Sequence, residues 1–177
     1  MMVKAVLLLL TLSVPCFAQT DKKPDVWEPL RYFIGTWEGT SKGQAGTGRS
    51  ERQYTFIMNG NYVEVRNRSV YPPNERNAKG EMHEDLGIIS YDRAKKRFVM
   101  RQFHVEGFVN QYVMNIVAPD NKMFGMETES IENIPPGWRA KETYKILNDD
   151  EFIEIFELAP PGKEFSTYTE NHFKRKR

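Results

Sequence analysis

From Gly35 to the C-terminus the chain is a succession of short stretches in which apolar or β-branched residues alternate with polar ones. Clusters of Gly, Pro, Asn and Asp separate them. Successive side chains of a strand point to opposite faces of its sheet, so this alternation marks strands with one dry and one wet face. It predicts strands over residues 35–40, 49–57, 61–71, 83–91, 97–104, 107–117, 122–131, 138–147, 151–158 and 164–174. Asn59-Gly60 is the strongest short hairpin signal. Further turns are expected at 92–96, Asp120-Asn121, Pro135-Pro136-Gly137, Asn148-Asp149-Asp150 and Pro160-Pro161-Gly162. Residues 41–48, which hold Gly43, Gly46 and Gly48, read as a flexible connection, and residues 72–80 as a polar loop. Before the first strand, residues 26–34 are apolar but short and contain Pro29, which predicts one helical turn leading into the sheet.

Roughly ten short strands joined by tight turns indicate an all-β sandwich or barrel. Consecutive hairpins favour an antiparallel up-and-down β-barrel of about 8–10 strands, because closure removes exposed sheet edges. Such a barrel has room for one small ligand. The expected organisation is a signal peptide at 1–18, a polar leader and helical turn at 19–29, and a single barrel domain over 30–177.

Residues 1–18 carry the secretory pattern: Lys4, an apolar run from Ala5 to Val14, and small residues at Cys16 and Ala18 before the expected cut. The run is half the length of a membrane-spanning helix, so no integral membrane segment is expected after processing. Cleavage removes the chain's one cysteine and, of its charges, only Lys4, which leaves the remainder formally neutral. A thiolate nucleophile, thiolate metal ligands and disulfides are then excluded. The whole chain has 25 basic and 24 acidic residues, a balance that argues against nucleic-acid binding. The expected product is an exported protein, a monomer or weak homodimer, whose partner is a small hydrophobic molecule.

Signatures of catalysis are missing. There is no Gly-x-Ser-x-Gly elbow, no His-Glu-x-x-His metal motif, and no Lys-Ser/Thr to complete a phosphate cradle at the glycine-rich stretch. His83 and Glu84 fall on opposite strand faces, whereas His104 and Glu106 share one, and a bare metal site is not expected. Met58, Met100, Met114, Met123 and Met126 would suit an adaptable apolar pocket, but read first as core packing. The four cations from Lys174 to Arg177 read as a solvated chain end.

Gly35-Thr36-Trp37 is the Gly-x-Trp signature of lipocalin-like (calycin) barrels. In those barrels the Trp closes one end against a basic residue of the last strand, here Lys174 or Arg175 by cation–π contact. Residues 34–39 and Met82-His83-Glu84-Asp85-Leu86-Gly87 resemble two segments of the nitrobindin-like haem-binding β-barrels, a family also found at the C-terminus of some THAP proteins. Secreted bacterial domains of unknown function with the same Gly-Thr-Trp start are still more similar. The resemblance implies haem in the barrel mouth. It places Tyr168 where the family has its iron-ligating histidine, with His172 on the same strand parity, and His83 at the pocket. The candidate ligand pocket adds Trp37, His104, Phe108, Tyr112 and Met114. Three functions are thereby expected in competition: a haem-binding barrel, an iron-free carrier of a fatty or aromatic metabolite, and a non-haem enzyme using His and acidic residues at the barrel mouth.

Overall fold

Ten antiparallel strands close on themselves in this computed structural model, which describes residues 25–75, 77–118 and 122–177. The strands are β1 (Gly35–Gly43), β2 (Gly46–Ile57), β3 (Tyr62–Tyr71), β4 (Glu81–Asp92), β5 (Arg97–His104), β6 (Val109–Val117), β7 (Met123–Glu132), β8 (Arg139–Asn148), β9 (Glu151–Ala159) and β10 (Ser166–Arg175). Each pairs with its neighbours in sequence, and β1 pairs with β10 to seal the cylinder, with Trp37 opposite Arg175. This is the expected all-β, calycin-like up-and-down barrel. The expected signal peptide, the leader up to residue 24 and the Asp120-Asn121 turn lie outside the described residues.

One expectation needs correction. Residues 41–48 are not a flexible connection: β1 and β2 run through them as a tight hairpin that leaves only Gln44 and Ala45 between the strands. The glycines mark close approach of the backbone. A Cβ on Gly43 would sit 2.2 Å from the Tyr168 carbonyl oxygen, and one on Gly48 would sit 2.5 Å from that of Val70.

The N-terminal turn is a 3₁₀ helix over Glu28–Phe33, with Pro29 in its first turn, where a missing N–H costs nothing. It ends at Gly35, whose φ of 125° is a conformation that side chains rarely adopt. The turn plugs one end of the barrel. Phe33 inserts among Tyr54, Phe124, Tyr144 and Phe152, with ring centroids 5.2–5.8 Å away. Trp37 is fully buried beside it and donates from Nε1 to the Phe33 carbonyl at 2.7 Å. The Arg175 guanidinium lies 4.0 Å over the Trp37 ring and donates to the carbonyls of Tyr32 (2.8 Å) and Ile34 (3.1 Å). Arg175, and not Lys174, therefore makes the closing contact; Lys174 points to Glu151 on the outer face.

Along most strands the inward positions change character midway. On β5 they run Phe98, Met100, Gln102, His104; on β3, Val63, Val65, Asn67, Ser69; on β8, Ala140, Glu142, Tyr144. The plugged half is an aromatic core, while the other half has a polar interior. At the boundary Arg52 of β2 forks onto Glu154 of β9, with Nε and Nη2 donating at 3.1 and 2.8 Å. Both side chains are more than nine-tenths buried. Removing one member of such a pair strands the other charge and typically costs about 3–5 kcal/mol, whereas apolar replacement of both is often neutral. Arg52→Leu should therefore lower the urea-unfolding free energy by about that amount. The double variant Arg52→Leu/Glu154→Leu should recover most of the loss.

Candidate functional site

The end of the barrel away from the 3₁₀ plug holds a half-open cavity of about 610 Å³. Its wall is apolar on the side of Ile131, Ile134, Trp138, Phe156 and Leu158. The boundary layer forms its floor: the Arg52–Glu154 pair, Asn171, which donates to Glu154 Oε1 at 2.9 Å, and Glu142. The opposite wall is His83 and Asp85 of β4 with His104 of β5. Strand pairing sets Asp85 directly opposite His104. His83, two residues before Asp85, shares its face.

His83 meets each of the other two. His83 Nε2 lies 3.5 Å from Asp85 Oδ2 and 3.4 Å from His104 Nδ1. His83 Nδ1 meets Glu106 Oε1 at 2.7 Å. Asp85 Oδ1 accepts from Gln102 Nε2 at 2.7 Å and from Asn67 Nδ2. His104 stacks on Phe108 at 4.0 Å and contacts Asn110 through Nε2 at 3.1 Å. The hydrogen bond to Asp85, with Glu106 adding to it, raises the His83 pKa against the opposing effect of burial. Burial pushes His104 down to about 4, so this ring is neutral at physiological pH. Burial also works against ionised Asp85, but His83, Arg52 and Gln102 outweigh it and hold its pKa low. Glu142 is the opposite case. Burial and the neighbouring Glu154 raise it to about 8, so it carries a proton at neutral pH.

Of the residues nominated from sequence, His83, His104, Phe108 and Tyr168 line the cavity. Trp37, Tyr112, Met114 and His172 do not. Trp37 belongs to the plugged end. Tyr112 is fully buried and accepts from Asn110 Nδ2 at 2.9 Å. Met114 borders a small void between the plug and the core, together with Met100 and Met126, and none of the five methionines lines the large cavity. His172 faces outward to Glu151 at 3.2 Å, because a bulge between Thr167 and Thr169 resets the alternation and turns Thr169, Asn171 and Phe173 inward. The sequence reading missed Arg52, Gln102, Asn110, Glu142, Glu154 and Asn171, all polar residues on inward parity.

Haem held by Tyr168 or His172 does not fit these residues. His172 lies outside the barrel. Tyr168 sits at the mouth with its phenol pKa raised by burial and by Glu81, Tyr71 and Glu106, which disfavours the phenolate that iron would need. Among the described residues, the acidic side chains that line the cavity are Glu81, Asp85, Glu106, Glu142 and Glu154, and the basic ones are Arg52, His83 and His104.

No family model and no curated protein matches the sequence. Among solved structures, Rv2717c from M. tuberculosis superposes with a TM-score of 0.64 at 14% identity, over 87% of this chain and 99% of that one. The S-type phycobiliprotein lyase CPES from Guillardia theta superposes with a TM-score of 0.52 at 13% identity, over 92% and 99%. The likeness is one of fold. The chain is a closed antiparallel barrel of ten strands.

The protonated Glu142 gives a signed pH dependence. The folded state keeps a proton up to about pH 8 that the unfolded chain releases near its ordinary 4.5, so this residue's contribution falls as pH rises between those values. Urea midpoints for the wild type should drop relative to Glu142→Gln from pH 5 to pH 9, and the difference between the two proteins isolates this group.

Proposed function

We propose that the protein is an exported binder of a small molecule with an apolar body and a cationic or hydrogen-bond-donating head. The observation that carries this is the lining of the cavity. An apolar wall faces a floor and opposite wall rich in acceptors, among them the carboxylates of Glu81, Asp85, Glu106 and Glu154. The amide oxygens of Gln102 and Asn110 are buried there without a hydrogen-bond partner. Unpaired buried acceptors are costly, and a donor on a ligand would satisfy them. A fold shared with a phycobiliprotein lyase is compatible with handling a small organic ligand. Export rests on the signal-like residues 1–18. The closed barrel offers no free strand edge for pairing, which supports a monomer or weak homodimer.

Trp138 gives the test a built-in reporter. It sits at the cavity, 36% exposed, whereas Trp27 and Trp37 are buried at the plugged end. A long-chain alkylamine, titrated with a chelator present, should change tryptophan fluorescence saturably, and Trp138→Phe should abolish the change. The fatty acid of the same length should bind at least tenfold more weakly. Preference for the acid, or a signal that survives Trp138→Phe, would overturn the assignment. Hemin in the same assay should give no saturable Soret band that depends on Tyr168.

A further inference from the structure

We infer that His83, Asp85 and His104 form a binding site for a divalent first-row transition ion, zinc being the reference case, in the wall of the cavity. The inference stands apart from the identity of the organic ligand. One donor atom from each residue converges, all within 4.8 Å of one another: His83 Nε2, His104 Nδ1 and an Asp85 carboxylate oxygen. Ligands held about 2.0–2.1 Å from a tetrahedral ion lie about 3.4 Å apart. The separations from His83 Nε2 are 3.4 Å to His104 Nδ1 and 3.5 Å to Asp85 Oδ2. Two imidazoles and a carboxylate are a donor set that suits zinc, iron, cobalt or nickel.

The surroundings are those of a built site. A metal-bound histidine usually gives its other ring nitrogen to a carboxylate or carbonyl, which fixes the tautomer. Glu106 takes His83 Nδ1 at 2.7 Å, which leaves Nε2 for the ion. Asp85 has its second oxygen occupied by Gln102 and Asn67, which leaves Oδ2. His104 has Nε2 against the Asn110 amide at 3.1 Å, which leaves Nδ1. Asn110 is 1% exposed and Gln102 4%, so both supporting amides are fixed in the interior. With the ion bound, His104 Nε2 carries its proton, and the Asn110 amide turns to present its oxygen to it and to the Tyr112 hydroxyl. Phe108 stacked on His104 holds the ring plane. Three protein ligands on a cavity wall leave the fourth position open to the cavity, for water or for the lone pair of an uncharged amine. The added positive charge also offsets the carboxylate excess of the lining.

The test uses untagged protein with no organic ligand added. Titration with Zn²⁺ by calorimetry, and with Co²⁺ followed by visible absorption, should show one saturable equivalent, with the intense band of four-coordinate cobalt. The metal should raise the melting temperature. Asp85→Asn, which keeps the side-chain shape, and His104→Gln should each weaken binding at least 100-fold. Glu106→Gln should weaken it about 10–100-fold, the usual effect of losing a supporting carboxylate. His172→Gln, on the outer face, should change nothing. Circular dichroism shows that each variant is folded. No saturable equivalent, or binding that is indifferent to Asp85→Asn and His104→Gln, would overturn the site. The alkylamine titration with chelator present reads the cavity without the metal, so either conclusion can fail alone.

Discussion

The buried pair of Arg52 and Glu154 is the constraint on which the interior is organised. A guanidinium and a carboxylate that leave water lose several kcal/mol of hydration each, and recover it only with near-ideal geometry and further hydrogen bonds. Both conditions are met here: a two-point fork, Asn171 on the carboxylate, and the Phe173 ring 5.1 Å beneath the guanidinium. The pair stands where an apolar core would otherwise continue. On its plugged side the aromatic cluster excludes water. On its other side charge is already in the interior, and the polar groups around it share one network. Asp85 feels Arg52 as well as His83, and the neighbouring Glu154 adds to the burial that keeps Glu142 protonated.

Much of the fold was legible because a strand alternates with a period of two, and that period survives in the sequence even where the interior is polar. The Asn59-Gly60 hairpin lies between β2 and β3 as expected, with Asn59 and Gly60 both at positive φ. The contact between Trp37 and a base of the last strand followed from the Gly-Thr-Trp segment. What failed has local causes. Gly43 and Gly48 were read as flexibility, although in a tightly coiled barrel a glycine also lets two backbones approach. The bulge before Thr169 is one extra residue, invisible to periodicity, yet it decides that His172 faces solvent.

The site itself was half legible. Alternation places a side chain inside or outside but says nothing of which strand lies opposite, and the cluster depends on register: Asp85 meets His104 because β4 and β5 pair at that step. The signal that went unused was polar residues on inward parity. Gln102 follows Phe98 and Met100 on one face, and Glu142 sits between Ala140 and Tyr144. A barrel that hides acids and amides where leucine would pack better gives up stability to keep a cavity chemically addressed.

The seam between β1 and β10 has a consequence for how the chain is made. The hydrogen bond from Arg175 to Ile34 joins residues 141 apart in sequence. Every other strand can pair with its neighbour as it emerges, but the first must wait for the last. Without that pairing the sheet has two unprotected edges, and the plug lacks the Arg175 contacts that tie it to the last strand. Topology of this kind folds slowly. Closing the cylinder therefore waits on the two strands that are farthest apart in sequence.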